Sequence, residues 1–153
     1  MVCLGNICRS PLAEGALRTH LDRSGLDWVE VDSAGTGGWH AGEPPDRRSI
    51  AVAAGAGVDI RAQRARKLRA VDFEHFDWLL CADRSVLRDV RAMAPAGATA
   101  RVALLLEWAG QGAGAEVPDP YTGDADDFRQ VWAMVDAAAA GIIVRLTTGR
   151  SAV

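Results

Sequence analysis

The chain has only three cysteines in 153 residues, an odd number. A disulfide framework is therefore excluded as its main source of stability, and with no secretory signal pattern a reducing, cytoplasmic compartment is the natural reading. Long hydrophobic runs are also missing. The longest candidate, Ala137 to Leu146, is broken by Gly141 and Arg145, so no membrane span is expected. There is no excess of positive charge: the formal net charge is -3 and the pI about 5.6. A nucleic-acid binder carries a basic field, and this chain does not. Metal-ligand spacing is absent as well. Cys3 and Cys8 lack zinc-finger spacing, and His20, His40 and His75 form no local pair, so no metal or other cofactor is expected. What is present suits one ordinary globular domain over 1–153, with 49% hydrophobic and 24% charged residues, enough for a core and against disorder.

Short apolar runs alternate with helical patterns. Val2 to Leu4 reads as a strand ending at Gly5. A helix opens at Pro11, with Ser10 as its cap and Ala13, Leu17 and Leu21 on one face. Trp28 to Asp32 reads as a half-buried strand, and Ser33 to Pro45 as a Gly/Pro-rich loop. A helix from about Pro45 to Ala54 stops at Gly55. Ile60 to Arg69 is basic and poorly periodic, and its run Arg61 to Arg69 reads as a solvated face, with acidic partners as the alternative. Phe76 to Cys81 and Val102 to Leu106 are strand-length runs on either side of a helix over Arg84 to Met93. Gln111 to Gly123 is a second Gly/Pro-rich loop. A closing helix aligns Phe128, Val131, Val135 and Ile142, and the tail after Leu146 is expected to fray. This β-α-β-α-β-α-β-α order predicts a parallel sheet with helices on both faces, its ligand bound at the carboxyl ends of the strands.

The loop after the first strand lies at that edge. It runs Cys3-Leu4-Gly5-Asn6-Ile7-Cys8-Arg9-Ser10-Pro11. Backbone N–H groups of such a tight loop point inward as a nest, and the following helix N-terminus adds positive potential, so Leu4 to Ser10 form a candidate phosphate site. Arg9 can grip two oxygens of a tetrahedral anion. The same field favours a thiolate at Cys3, poised for in-line attack on phosphorus. Ser10 can hydrogen-bond the sulfur and help it leave the phosphoenzyme. The leaving oxygen needs an acid, and Asp119 is the candidate, held between Pro118 and Pro120 on a loop.

Val2 to Pro11 followed by Ala13-Glu14 resembles the phosphate loop of the low-molecular-weight protein tyrosine phosphatases. Asp32-Ser33-Ala34-Gly35-Thr36 is similar to that family's second-strand motif, Phe76 to Asp83 to its third strand, Asp119-Pro120-Tyr121 to its acid loop, and Asp127-Phe128 to the start of its last helix. The resemblance implies a three-layer α/β/α fold with a four-stranded parallel sheet, phosphatase I-like. It implies metal-free hydrolysis of protein phosphotyrosine through a cysteinyl-phosphate. Cys3 would be the nucleophile, Arg9 the phosphate clamp, and Asp119 the acid and then the base for water. Asn6 would hold the loop's shape with Ser33 bonded to it, and Trp39 and Tyr121 would wall the substrate cleft. Phosphotyrosine proteins, a cognate tyrosine kinase among them, would be the partners, with inorganic phosphate or vanadate as inhibitors. Relatives with both loop cysteines can join them, so Cys8 would be a redox partner for Cys3.

There are departures from the family. The chain begins two residues before Cys3, where the family's central strand has several more apolar residues; either that strand is truncated or Met1 is internal. Val86 stands where the family often has asparagine, and Thr122 replaces the second tyrosine of the acid loop. Other readings share this loop. Arsenate reductases need a cysteine relay, but beyond Cys81 position 88 is Arg88 and no fourth cysteine exists. Protein-arginine phosphatases resemble a version with threonine in place of Ile7. A silent phosphate-binding module would not be expected to keep Cys3, Arg9 and Asp119 together.

Overall fold

Four short parallel strands carry the fold: β1 (Val2–Cys3), β2 (Ala34–Gly35), β3 (Trp78–Cys81) and β4 (Arg101–Leu104), in the order β2-β1-β3-β4. The computed structural model describes residues 1–151. Six helices complete it: α1 (Arg9–Ser24), α2 (Arg47–Gly55), α3 (Asp72–His75), α4 (Arg84–Met93), α5 (Leu105–Trp108) and α6 (Ala125–Ser151). Alternate strand residues point to opposite faces, and each face has its own core. Cys3 and Leu80 pack with Leu12, Leu17, Val131, Val135 and Ile142 from α1 and α6. Val2, Leu79 and Cys81 pack with Phe73, Val86 and Val90 from α3 and α4. Burial on both faces is why the strands read as continuous apolar runs. The result is the three-layer α/β/α architecture with a four-stranded parallel sheet.

The second strand lies at Ala34–Gly35, inside the stretch expected as loop, and not at Trp28 to Asp32. A strand needs a ladder, and β1 offers Val2 and Cys3, which register against Ala34 and Gly35. Val31 is buried all the same, so its apolar alternation reflects core packing. β3 and β4 are shorter than their apolar runs. Phe76 precedes β3, while Leu105 and Leu106 leave the sheet to open α5 and fill the α1/α6 core. The second helix starts at Arg47 because Asp46 caps it, accepting from the Arg48 N–H at 2.8 Å.

Arg61, Arg64, Lys67 and Arg69 are exposed, as a solvated basic face requires, but the segment between them is also built into the fold. Ile60, Ala65 and Leu68 are buried, and Gly35 exchanges backbone bonds with Arg66 and Leu68 at 2.9 and 2.8 Å. Arg66 bridges Asp72 and Asp32. Burial alone would raise the Asp72 carboxyl, but hydrogen bonds from Arg66 and the Arg69 N–H hold it below the usual carboxylate range.

The tail beyond Leu146 continues α6 to Ser151 rather than fraying; residues 152–153 lie outside the described residues. Over Ala125–Gly149 this helix is, by length and composition, long and apolar enough to cross a bilayer. The sequence expectation rested on uninterrupted runs, whereas the stretch 131–148 within this helix carries only Asp136 and Arg145 as charges. Its Phe128, Val131, Val135, Ala138, Ala139 and Ile142 stripe is buried in this fold, with α1 packed against it. At the amino-terminal end of the sheet lies a cavity of about 300 Å³, lined by Met1, Val29, Val31, Phe76, Trp78 and Leu80 among others. It lies beside the short β1, which pairs with β3 only through Val2 and Cys81. The phosphate loop is at the other end.

Candidate active site

β1 ends at Cys3, and α1 begins six residues later, so the chain between them must turn tightly at the carboxyl edge of the sheet. Asn6 makes that turn with φ of 56°, the one non-glycine residue with positive φ among the described residues. Asparagine tolerates this left-handed conformation better than most residues, and its side chain locks it. Asn6 Nδ2 donates to Ser10 Oγ at 2.7 Å and to Ser33 Oγ at 3.0 Å, while Asn6 Oδ1 accepts from the Arg66 N–H at 3.0 Å. Ser33 in turn donates to Glu14 Oε1 at 2.7 Å. All of this is buried except the half-buried Arg66, and every polar group of the Asn6 side chain is used. Gly35 lies alongside, and a β-carbon there would stand 2.8 Å from the Leu4 carbonyl oxygen.

Cys3 is buried, and its sulfur has two hydrogen-bond partners. The Asn6 N–H donates at 3.3 Å, and Ser10 Oγ lies 3.0 Å away. Ser10 already accepts from Asn6, which leaves its own proton for the sulfur. Ser10 is not the helix cap, because α1 starts at Arg9 and Ser10 lies inside its first turn; Cys8 takes the cap position without a side-chain cap bond. The Cys8 thiol differs. Burial, together with the nearby Asp46 and Cys3, pushes it up to about 12. Cys81, on the far face of β3, is pushed up to about 12 by burial.

Arg9 is buried within the site. Its Nη1 donates to Asp83 Oδ2 at 2.6 Å and to the Val117 carbonyl at 3.0 Å, which uses both Nη1 protons. Nε and Nη2 remain for two oxygens of an anion. Nη2 also stands 3.8 Å from Asp119 Oδ2. Asp119 is half-exposed, and its Oδ1 accepts from the Tyr121 N–H at 3.1 Å. The acid loop is pinned near Arg9 because the Val117 N–H donates to the Ala82 carbonyl at 2.8 Å, just beyond β3.

Leu4, Gly5 and Ile7 complete the loop. The Ile7 carbonyl accepts from the Asp46 N–H at 2.8 Å, and the His40 ring packs over Gly5. Trp39 is 71% exposed, its indole laid over Gly37, where any β-carbon would collide with it. Tyr121 is 51% exposed on the acid loop. Both aromatics therefore sit on segments whose neighbours touch the phosphate loop.

Sequence reasoning missed three contributors. Asp83 holds Arg9 with one oxygen and caps α4 with the other, accepting from the Val86 N–H at 2.8 Å. Its signal was an aspartate just past a strand and at the start of a helix. Glu14 anchors Ser33, and a carboxylate on the buried face of a helix could have marked it. The Arg66 contribution is a backbone N–H and has no sequence signal.

The family model "Low molecular weight phosphotyrosine protein phosphatase" matches residues 1–151. The low molecular weight phosphotyrosine protein phosphatase of Schizosaccharomyces pombe is 43% identical over 129 residues, covering 83% of this chain and 82% of that protein. The low molecular weight protein-tyrosine-phosphatase of Streptomyces coelicolor is 43% identical over 148 residues, covering 93% and 88%. The crystal structure of DARP, a Drosophila arginine phosphatase, superposes with a TM-score of 0.88 at 27% identity, covering 95% of this chain and 94% of that one. The chain belongs to the low molecular weight phosphotyrosine protein phosphatase family.

Proposed function

We propose that this protein hydrolyses phosphotyrosine in proteins through a cysteinyl-phosphate on Cys3. The observation that carries this reading is the convergence of Cys3, Ser10, Arg9 and Asp119 at one edge of the sheet. The loop N–H groups from Leu4 to Ser10, with Arg9 Nε and Nη2, hold the phosphoryl oxygens and offset their charge. Cys3 Sγ attacks phosphorus in line, and Asp119 gives its proton to the departing phenolic oxygen. Asp119 then takes a proton from water as the water attacks phosphorus. Sulfur leaves as a thiolate, with hydrogen bonds from Ser10 and Asn6. Trp39 and Tyr121 present flat apolar faces to a substrate ring. Turnover of p-nitrophenyl phosphate and of a phosphotyrosine peptide, without added metal, tests the reading. A protein that binds phosphate but turns over neither substrate is a binding module instead.

The arginine phosphatase neighbour makes phosphoarginine the second substrate class to test. The resemblance favours phosphotyrosine through Ile7, whose branched side chain lies in the loop beside Gly5 where protein-arginine phosphatases resemble a version with threonine. Ile7→Thr is expected to raise the phosphoarginine to phosphotyrosine ratio of kcat/KM by about tenfold or more. An unchanged ratio would remove Ile7 as the selector.

Cys8 supplies redox protection in this reading. Peroxide converts the Cys3 thiolate to a sulfenic acid. Cys8 then displaces water to form a Cys3–Cys8 disulfide, which a dithiol reverses. Before oxidation the high pKa of Cys8 keeps it a thiol, out of competition with Cys3. Cys8→Ser is expected to keep most of its activity but lose it irreversibly to peroxide. Wild type should recover in dithiothreitol and yield a Cys3–Cys8 linked peptide by mass. Equal recovery in both proteins would count against the disulfide.

A further inference from the structure

Asp119 lies on a loop without regular structure, and its own hydrogen bond to Tyr121 is local. Something else must set its position above the phosphate loop. Val117 fixes one end of the acid loop through Ala82 and Arg9. The other end is held by Arg48, in the first turn of α2. Arg48 Nη2 donates to the Tyr121 carbonyl at 2.9 Å, and Nη1 donates to the Gly123 carbonyl at 3.1 Å. Its Nε and Nη2 also grip the two Asp46 oxygens, each at 3.0 Å. The guanidinium lies 4.4 Å from the Phe128 ring centroid and 5.7 Å from that of Tyr121. Asp46, through its backbone N–H, is bonded to the Ile7 carbonyl of the phosphate loop.

We infer that Arg48, braced by Asp46, is a positioning residue for the general acid, a strut that ties the acid loop at Tyr121 and Gly123 to the phosphate loop at Ile7. The inference rests on Asp119 being that acid. Four of the five guanidinium N–H groups are used, and two stacked rings restrict its plane. A lysine is a point donor and cannot span two carbonyls and a carboxylate at once. The Arg48 hydrogen bonds hold the Asp46 carboxyl below its usual range, which favours the ionised form that grips Arg48. Arg48 is absent from the hydrogen bonds among Cys3, Asn6, Ser10, Ser33 and Glu14, so its loss should misplace the acid and spare anion binding.

The test uses Arg48→Met, Arg48→Lys, Asp119→Asn and the double variant Arg48→Met/Asp119→Asn. Each is measured with phenyl phosphate, whose leaving group needs an acid, and with p-nitrophenyl phosphate, which needs one less. For Arg48→Met, kcat on phenyl phosphate should fall about 10–100-fold, with p-nitrophenyl phosphate and the Ki for inorganic phosphate each changed by less than about threefold. Arg48→Lys should show the same leaving-group bias, and it carries the test if Arg48→Met does not fold. The double variant should be no slower than Asp119→Asn, because a strut without its acid has nothing to position. Losses that multiply in the double variant, or that fall equally on both substrates with weakened phosphate binding, would overturn the strut. A steep leaving-group response in Asp119→Asn with a flat one in both Arg48 variants would overturn the strut alone. A flat response in Asp119→Asn would remove the acid assignment and the strut with it.

Discussion

Replacement of Cys3 by serine is expected to reduce turnover by at least about 10⁴-fold while leaving phosphate and vanadate binding largely intact. The two effects separate because different atoms carry them. Bond formation to phosphorus needs the sulfur, which is buried at the end of β1 and receives hydrogen bonds from the Asn6 N–H and Ser10. A serine hydroxyl in that place is far harder to ionise and far less nucleophilic. Anion binding needs the loop N–H groups and Arg9, whose orientation is set by Asp83 and the Val117 carbonyl. None of those contacts passes through Cys3. Phosphate inhibition and vanadate titration measure binding; release of p-nitrophenol measures turnover. Turnover by the serine variant within about 10³-fold of wild type would remove Cys3 as the nucleophile, and loss of anion binding would show that the sulfur shapes the loop.

Asp119→Asn is expected to lower kcat for phenyl phosphate by about 10²–10⁴-fold and much less for p-nitrophenyl phosphate. The substitution is close to isosteric. An asparagine oxygen can still accept from the Tyr121 N–H, so the loop keeps its local bond while the transferable proton disappears. The 3.8 Å approach of Asp119 to Arg9 places the carboxyl beside the proposed phosphate clamp, within reach of a leaving oxygen in the proposed reaction. A good leaving group departs without help, and a poor one does not. The limb of the pH profile that reports the acid should also vanish for phenyl phosphate. Equal losses on both substrates would place the acid on another residue.

The proposed chemistry was legible in the sequence because it is local. Cys3, Arg9 and the turn residue Asn6, proposed as nucleophile, clamp and loop lock, lie within seven positions, between an apolar run and a helix start, and short-range geometry forces them together at a strand's carboxyl end. Asp119 was legible for a different reason: its flanking prolines keep it off helices and strands. The secondary elements were legible where an apolar pattern matched burial, as for α4, read from Arg84 to Met93 and observed there.

The rest depended on contacts between distant segments. β2 could not be placed from its own residues, because two residues of β1 decide which neighbours pair and in what register. The Ile60 to Arg69 segment looked like a charged surface, yet its backbone extends the sheet edge and its Arg66 N–H completes the Asn6 lock. Asp83 and Glu14 carry only a generic signal in the sequence, and Arg48 carries none. Each acquires its role from a partner 19 to 75 positions away, Ser33 for Glu14, Arg9 for Asp83, and Tyr121 and Gly123 for Arg48. Residue type and short spacing therefore determined which atoms can do the chemistry. Only the packing of the sheet, α2 and the acid loop decided how those atoms are held, because buried polar groups must find partners wherever the fold supplies them.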